Sequence, residues 1–588
     1  MTKFFLITTA EESTWLLDRP VLFLGEWCRL YKRRDLWGSL DAEVVPYHWD
    51  NRERYYQDYS YLQKVYEEIL RNSTDALNGY HGTSYTVRFW RIVIGPWLFK
   101  FIHILYDRWV SVHKANSDYS IDGTEILKQD INELIPSDMN EFIALMWDDK
   151  WNNYIIGEII KKHTDIKWYE KIKTLKKIQE DASIVKTKNL IYKKYILNML
   201  NTFLEKFTRK TEIFVIHSYL PIFKEFLFHI YLRQFPKIWT TPKLKRADLN
   251  TSKRSRFKVN TDSLDVFVKF ASKMTSLQIP VVYLEGYSEL VDQIGELPWP
   301  SNPKTIFTSN AYESDEAFKV WTAAKVEFGV PLVIGQHGGF FGVGKWVAGE
   351  DHQIAISDRF LTWGWKDSRQ SVFPSVAFTE VNKKKIKWNN KGDLLLIIVP
   401  IPRYSLKSGS WPVSANQSNQ YINNQISLIS KLPRSIRKKL SVRIWANFDE
   451  LQKTSYIDRL LDKYPEIRID PSTTSIHSSV RDSRIVISAY NGTNFIQSLS
   501  RNVPTIIFWD SSCFELRDSA VLFFDKLKNV GIFHESSESA SAKLEYVWDN
   551  VEEWWYMDEV QEARREFCSE YARMPKKPFQ VLKNALNV

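Results

Sequence analysis

Pro331-Leu332-Val333-Ile334-Gly335-Gln336-His337-Gly338-Gly339-Phe340-Phe341-Gly342-Val343-Gly344 is the stretch on which the fold turns. A short apolar run without alternation reads as a strand buried on both faces, as in a parallel sheet. It closes on a turn with five glycines among residues 335–344. Glycines let backbone N–H groups approach a ligand and admit φ > 0. The pattern is neither the dinucleotide fingerprint GxGxxG nor a P-loop, since no GK[ST] follows. A purely structural turn needs neither Gln nor His. His337 is therefore read as a catalytic or phosphate-contacting group, and Gln336, Gly338 and Gly339 as donor-contacting positions.

Upstream, Thr305–Thr308 reads as a strand ending at Ser309-Asn310, and a helix is predicted over Ser314–Phe328. Pro280–Leu284 reads as a strand ending at Glu285. Downstream comes a second series: Asp393–Val399, Val442–Trp445, Ile467–Ile469, Ile485–Ser488 and Val503–Trp509. Strands alternating with helical patterns predict βαβ units and parallel sheets. A first strand, Phe4–Ile7, opens the chain, and residues from about 120 to 235 read as largely helical. The basic stretch 241–262 reads as an exposed loop and the tail beyond 540 as helical. The expected fold class is α/β, with two Rossmann-type parallel-sheet domains and a large helical insertion, 50–260, in the N-terminal half. Two α/β units in one chain suit a donor–acceptor pair, and the expected division is 1–385 on the acceptor side, 386–540 on the donor side, and 541–588 as helices packing back on the first part.

Composition sets outer bounds. At 588 residues the chain exceeds one ordinary core. Hydrophobic residues at 44% and charged residues at 26% describe a globular protein. The net charge of +10 is spread along the chain, densest at Lys383-Lys384-Lys385 with Lys387. That favours phosphorylated donors or anionic headgroups over DNA or RNA, for which no motif is present. Three distant cysteines with no CxxC support neither disulfides nor zinc, which fits a reducing, cytoplasmic setting. Ile92–Leu105 and Ile213–Leu232 are too short or too interrupted to span a bilayer and read as buried or interfacial helices. A peripheral contact with the inner membrane stays open.

In open parallel sheets ligands gather at the carboxyl ends of strands, and the candidate residues sit at predicted strand ends. Glu285 and Asp315 are candidate carboxylates for nucleophilic or acid–base work beside His337, although Asp315 also suits a helix cap. Ser488, Asn491, Gly492 and Thr493 lie between a strand and a helix, where free N–H groups suit a phosphate, with Arg481 and Arg484 just upstream. Arg88 and Arg91 share a helix face and suit either an anionic substrate or structural ion pairs. Asn310 is a further substrate-side candidate. His352, Ser357 and Asp358 do not make a hydrolase, because no GxSxG elbow exists.

Four blocks carry a family resemblance: Thr8-Thr9-Ala10-Glu11-Glu12-Ser13-Thr14-Trp15, Arg88-Phe89-Trp90-Arg91 with Gly95-Pro96-Trp97, Gly335-Gln336-His337-Gly338-Gly339, and Asp358-Arg359-Phe360-Leu361-Thr362-Trp363-Gly364-Trp365. Through them the chain resembles the large transferases of O-antigen and other surface-polysaccharide gene clusters, and more distantly the retaining β-Kdo transferases. The resemblance implies a GT-B-like pair of Rossmann-type domains, a CMP-linked acidic sugar donor, a glycan or lipid-linked glycan acceptor and a carboxylate nucleophile, here Asp315 or Glu285. No metal, and no cofactor beyond the nucleotide-sugar donor, is expected. Phe340-Phe341 and Gln497 depart from the expected pattern, the latter where many such enzymes carry a ribose-binding Glu. A CDP-glycerol- or ribitol-type phosphotransferase and a non-catalytic membrane-associated scaffold are the alternatives.

Overall fold

The computed structural model describes residues 2–172, 208–381, 383, 386–406 and 408–587. Among them stand three parallel sheets, one more than the sequence suggested. The additional sheet comprises β1 (Phe4–Ile7), β2 (Val21–Phe23), β3 (Ala42–Val44), β4 (Ile121–Leu127) and β5 (Trp168–Lys171), in the order β3-β2-β1-β4-β5. Its members are hard to read. β2 and β3 are three residues long, and β4 carries Asp122, Gly123 and Glu125.

The second sheet holds β6 (Ile213–Ile216), β7 (Thr305–Thr308), β8 (Leu332–Gly335), β9 (Arg359–Thr362) and β10 (Val372–Pro374), ordered in sequence across the sheet. Pro374 ends an edge strand, where its missing N–H costs nothing. The third contains β11 (Asp393–Ile397), β12 (Leu440–Arg443), β13 (Arg468–Asp470), β14 (Ser483–Ser488), β15 (Thr505–Phe508) and β16 (Phe533–His534). Its order, β13-β12-β11-β14-β15-β16, is doubly wound, and the strand order reverses between β11 and β14. The predicted α/β class with parallel sheets is the observed one.

Pro280–Leu284 is not a strand. Val281–Tyr283 forms a 3-10 turn, because the N–H groups of Val281 and Val282 donate to the carbonyls of Pro136 and Ser137 instead of to a neighbouring strand. Glu285 therefore does not sit at a sheet edge. Ile92–Leu105 falls mostly within the helix Gly95–Asp118, whose first half is buried. Ile213–Leu232 divides into β6, a turn, and the helix Ile222–Tyr231. No helix among the described residues is long and apolar enough to cross a membrane. The helical reading of 173–207, with Lys384 and Lys385 of the basic run, lies outside the described residues.

Sheet three touches both other sheets at its carboxyl end. The loop after β14 meets the loop after β8, where Gly339 N–H donates to Thr493 Oγ1 at 3.1 Å. The loop after β11 meets sheet one through Arg403 and Tyr404, which bond Asp149 at 2.9 and 2.6 Å. The C-terminal helix Pro578–Leu586 lies against sheet two, with Leu586 O accepting from Thr305 Oγ1 at 2.9 Å.

Candidate active site

The turn after β8 holds its shape through Gln336. Its carbonyl Oε1 accepts from Trp363 N and Trp365 Nε1, both at 2.8 Å, and its Nε2 donates to Gly338 O at 2.8 Å. The buried amide thus holds the turn in place. The aromatic block Trp363-Gly364-Trp365, noted in the sequence for resemblance alone, is the other half of this fastening. Gly342 has φ +75 and would place a Cβ 2.4 Å from the Trp365 ring, so only glycine fits there.

Facing this turn, β14 ends in buried Ser488, and the helix Thr493–Ser500 begins after Gly492. A Cβ on Gly339 would lie 2.6 Å from Gly492 O, so two glycine backbones meet where sheets two and three face each other. Beside this contact Ser488 Oγ and both polar atoms of the Asn491 amide are buried without a hydrogen-bond partner among the described residues. Buried polar groups are almost always satisfied. Unsatisfied ones at a helix N-terminus, next to the reversal of strand order, point to a polar ligand such as a phosphate or nucleotide.

On the sheet-two side the ends of β6, β7 and β8 form one wall. His337 is half-buried, with the rings of Tyr219, Tyr312 and Phe341 at 5.8, 6.3 and 5.0 Å. Asn310 donates to Tyr219 Oη at 3.3 Å. Asp315 caps the helix Glu316–Glu327 by accepting Phe318 N–H at 2.9 Å, while its Oδ2 is buried. Burial raises the Asp315 carboxyl above its ordinary value, against the cap and the Thr241 hydroxyl. Thr241 Oγ1 also bonds His217 Nε2 at 3.1 Å, and burial holds that imidazole toward its neutral form, opposed by the charge of Asp315. His217 and Tyr219 have φ of 48 and 62. Left-handed backbone at non-glycine residues is a strain often kept at functional sites. His217, Tyr219, Thr241 and Tyr312 were not legible as site residues. The one available signal was a His at the end of an apolar run, hidden because β6 reads on into the next helix.

Other candidates lie elsewhere. Glu285 makes a bidentate pair with Arg254, both bonds 2.7 Å, and lines a separate cavity beside His81 and Arg256. Arg88 pairs with Asp358 at 2.8 Å and Arg91 with Glu67, the structural alternative for both. Arg481 and Arg484 stand at the start of β14, the opposite end from Asn491. They engage Asp482 and the Asp549 carbonyl, so they supply no phosphate contact there. Gln497 donates to Thr379 Oγ1 at 3.1 Å.

Glycine-rich loops meeting at the carboxyl ends of two parallel sheets, with an acid and two imidazoles at the ends of one sheet's strands and orphaned polar groups at the other's, suit an α/β group-transfer enzyme. The family comparison agrees: a protein-family model described as LIC12162 family transferase matches residues 4–586, and the chain belongs to that family. No curated protein matches the sequence. Among solved structures, MurG of Acinetobacter baumannii aligns at 9% identity over 64% of this chain and 99% of its own, with a TM-score of 0.29. WaaG, titled a glycosyltransferase involved in lipopolysaccharide biosynthesis, aligns at 10% identity over 64% and 98%, with a TM-score of 0.28. Likeness at that level carries no weight for fold or function.

Proposed function

We propose that this transferase is a cytoplasmic glycosyltransferase that binds a nucleotide-sugar donor between the β8 and β14 loops and passes the sugar to a glycan or lipid-linked glycan acceptor, with peripheral contact at the inner membrane. One observation carries the donor site: the orphaned Ser488 and Asn491 beside the Gly339–Gly492 contact. A diphosphate or phosphate there would meet the free N–H groups at the start of Thr493–Ser500 and the close backbone of Gly338-Gly339. The aromatic rings around His337 suit the apolar faces of a sugar.

In this reading His337 stabilises the leaving phosphate or moves a proton. Asp315, held up by burial, is the carboxylate beside the reacting carbon. His217, bridged to it by Thr241, keeps that carboxyl oriented. Asn310 and Tyr219 border the acceptor side. The choice of a CMP-linked acidic sugar and of an O-antigen or other surface-polysaccharide acceptor rests on the family resemblance, as does metal independence.

The test is a thermal-shift panel of CMP, CDP, UDP, GDP and their sugar conjugates, since a ligand that binds the native state raises its melting temperature. Selective stabilisation by CMP or a CMP-sugar is expected. A UDP or GDP response would keep the transferase and discard the acidic-sugar donor. Stabilisation by CDP-glycerol alone would replace sugar transfer with polyol-phosphate transfer. Silence from a well-folded sample would reject the donor site.

A further inference from the structure

The helix Ile222–Tyr231 is built inside out. Its buried residues are Glu225, Phe228 and His229. Its solvent face carries Ile222 (63% exposed), Phe223 (66%), Phe226 (38%), Ile230 (51%) and Tyr231 (38%). A surface helix ordinarily turns its carboxylate and imidazole to water and its rings to the core. Here Glu225 takes only the Ser218 hydroxyl, and neither ring nitrogen of His229 has a hydrogen-bond partner among the described residues. Polar groups are desolvated while apolar ones stay wet, and both are unfavourable in water alone. Leu264, Phe328 and Tyr546, also strongly exposed, are far apart in sequence and share no helix face with one another.

The charge framing this face has one sign. Within 208–243 and 574–587 the acids are Glu212 and Glu225, both buried, and Glu212 is paired with Lys237. Arg209, Lys210, Arg233, Lys576 and Lys577 are exposed. Lys224 and Lys583 lie over the rings of Phe223 and Tyr231, both at 5.8 Å. Apolar rings edged by cations match the boundary between anionic headgroups and acyl chains.

We propose that the helix Ile222–Tyr231 seats the protein on an anionic lipid bilayer, its outer face in the headgroup–acyl boundary and the surrounding Lys and Arg on lipid phosphates. Tyr219, which begins this segment, also touches His337, so the seat adjoins the candidate cleft. The inference localises the membrane contact and holds or fails independently of the donor site.

Flotation of the full chain with phosphatidylcholine vesicles, with and without phosphatidylglycerol, tests it. Binding to the anionic vesicles is expected, weakened by salt. The double variant Phe223→Glu/Ile230→Glu should bind about tenfold more weakly at an unchanged melting temperature, whereas Phe328→Glu should not differ from the parent. A fluorophore on Ile222→Cys should shift to the blue with anionic vesicles, and one on Tyr546→Cys should not. Three results would overturn the proposal: no flotation with anionic vesicles, equal binding by the double variant, or a parent dimer that this variant splits, which would assign the face to a second copy. Failure of every nucleotide in the thermal-shift panel would sink the donor site and leave this experiment intact.

Discussion

A methyl group on Gly339 has nowhere to go: Gly492 O and C and a methyl of Ile496 all lie within 2.8 Å of it, and backbone cannot swing aside as a side chain can. Gly339→Ala should push the two loops apart, cost about 1–3 kcal/mol of stability by overpacking, and abolish the nucleotide-induced thermal shift. Retention of the shift would place the donor elsewhere. His337→Ala is expected to remove transfer activity in a protein that stays folded, with a small drop in melting temperature because the half-buried ring packs against Tyr312 and Phe341. Asp315 needs a gentler change, since truncation would also remove a helix cap worth about 1 kcal/mol. Asp315→Asn retains an oxygen for Phe318 N–H, so stability should stay within about 0.5 kcal/mol while turnover drops; full activity in that variant would exclude the carboxylate from the chemistry. At this scale the glycine-rich turn was legible because His and Gln are superfluous to a plain turn. Gln336 was legible as special but not in role, because only the fold brings Trp363 and Trp365 onto its amide.

The helix Ile222–Tyr231 shows why elements were harder to read. Its apolar residues continue those of β6, so strand, turn and helix merge into one mostly apolar run in the sequence, interrupted by His217-Ser218, Pro221, Lys224-Glu225 and His229. Long buried strands such as β11 and β14 stand out between polar loops, whereas the three-residue strands of sheet one give too few residues for any period to show. The inverted helix also carries a measurable signature. Burial pushes the Glu225 carboxyl up to about 7, partly countered by Ser218. A folded-state value above the unfolded one means the native state holds the proton more tightly. The associated stability is complete below about pH 4.5 and is lost as pH rises through about 7, on the order of 3 kcal/mol in all. Burial holds His229 at about 4, so its contribution runs the opposite way, present above about 6.5 and lost on acidification. Urea melts of Glu225→Gln beside the parent cancel the histidine. The parent should lose stability relative to the variant between about pH 5 and 7, and parallel curves would show that Glu225 ionises freely.

At the scale of the whole molecule, the mouth of sheet one, where its strand order reverses between β1 and β4, is closed by the protein itself. Asp149 accepts from Ala10 N, Arg403, Tyr404 and Lys453 at 3.3, 2.9, 2.6 and 3.2 Å. Burial would raise this carboxyl, but Arg403 and Lys453 outweigh it and hold it at about 2. The loop that supplies Arg403 leaves β11, one of the two strands flanking the reversal in sheet three. Ser408 N–H and Gly409 N–H fasten the same loop to His103 and Tyr55 of the N-terminal helices at 3.1 and 2.9 Å. None of these long-range pairs is visible in a single sequence, where Asp149 is one more acid in a helical stretch. They fix the β11 loop to the N-terminal part of the chain. Asp149→Ala strands a buried guanidinium, which should lower stability by about 3–5 kcal/mol. If the β11 loop is a wall of the donor site, the same variant should also weaken nucleotide binding, measured calorimetrically below its melting temperature. A large loss of stability with unaltered nucleotide affinity would confine the donor to the β8 and β14 loops and make the lock on sheet one purely structural.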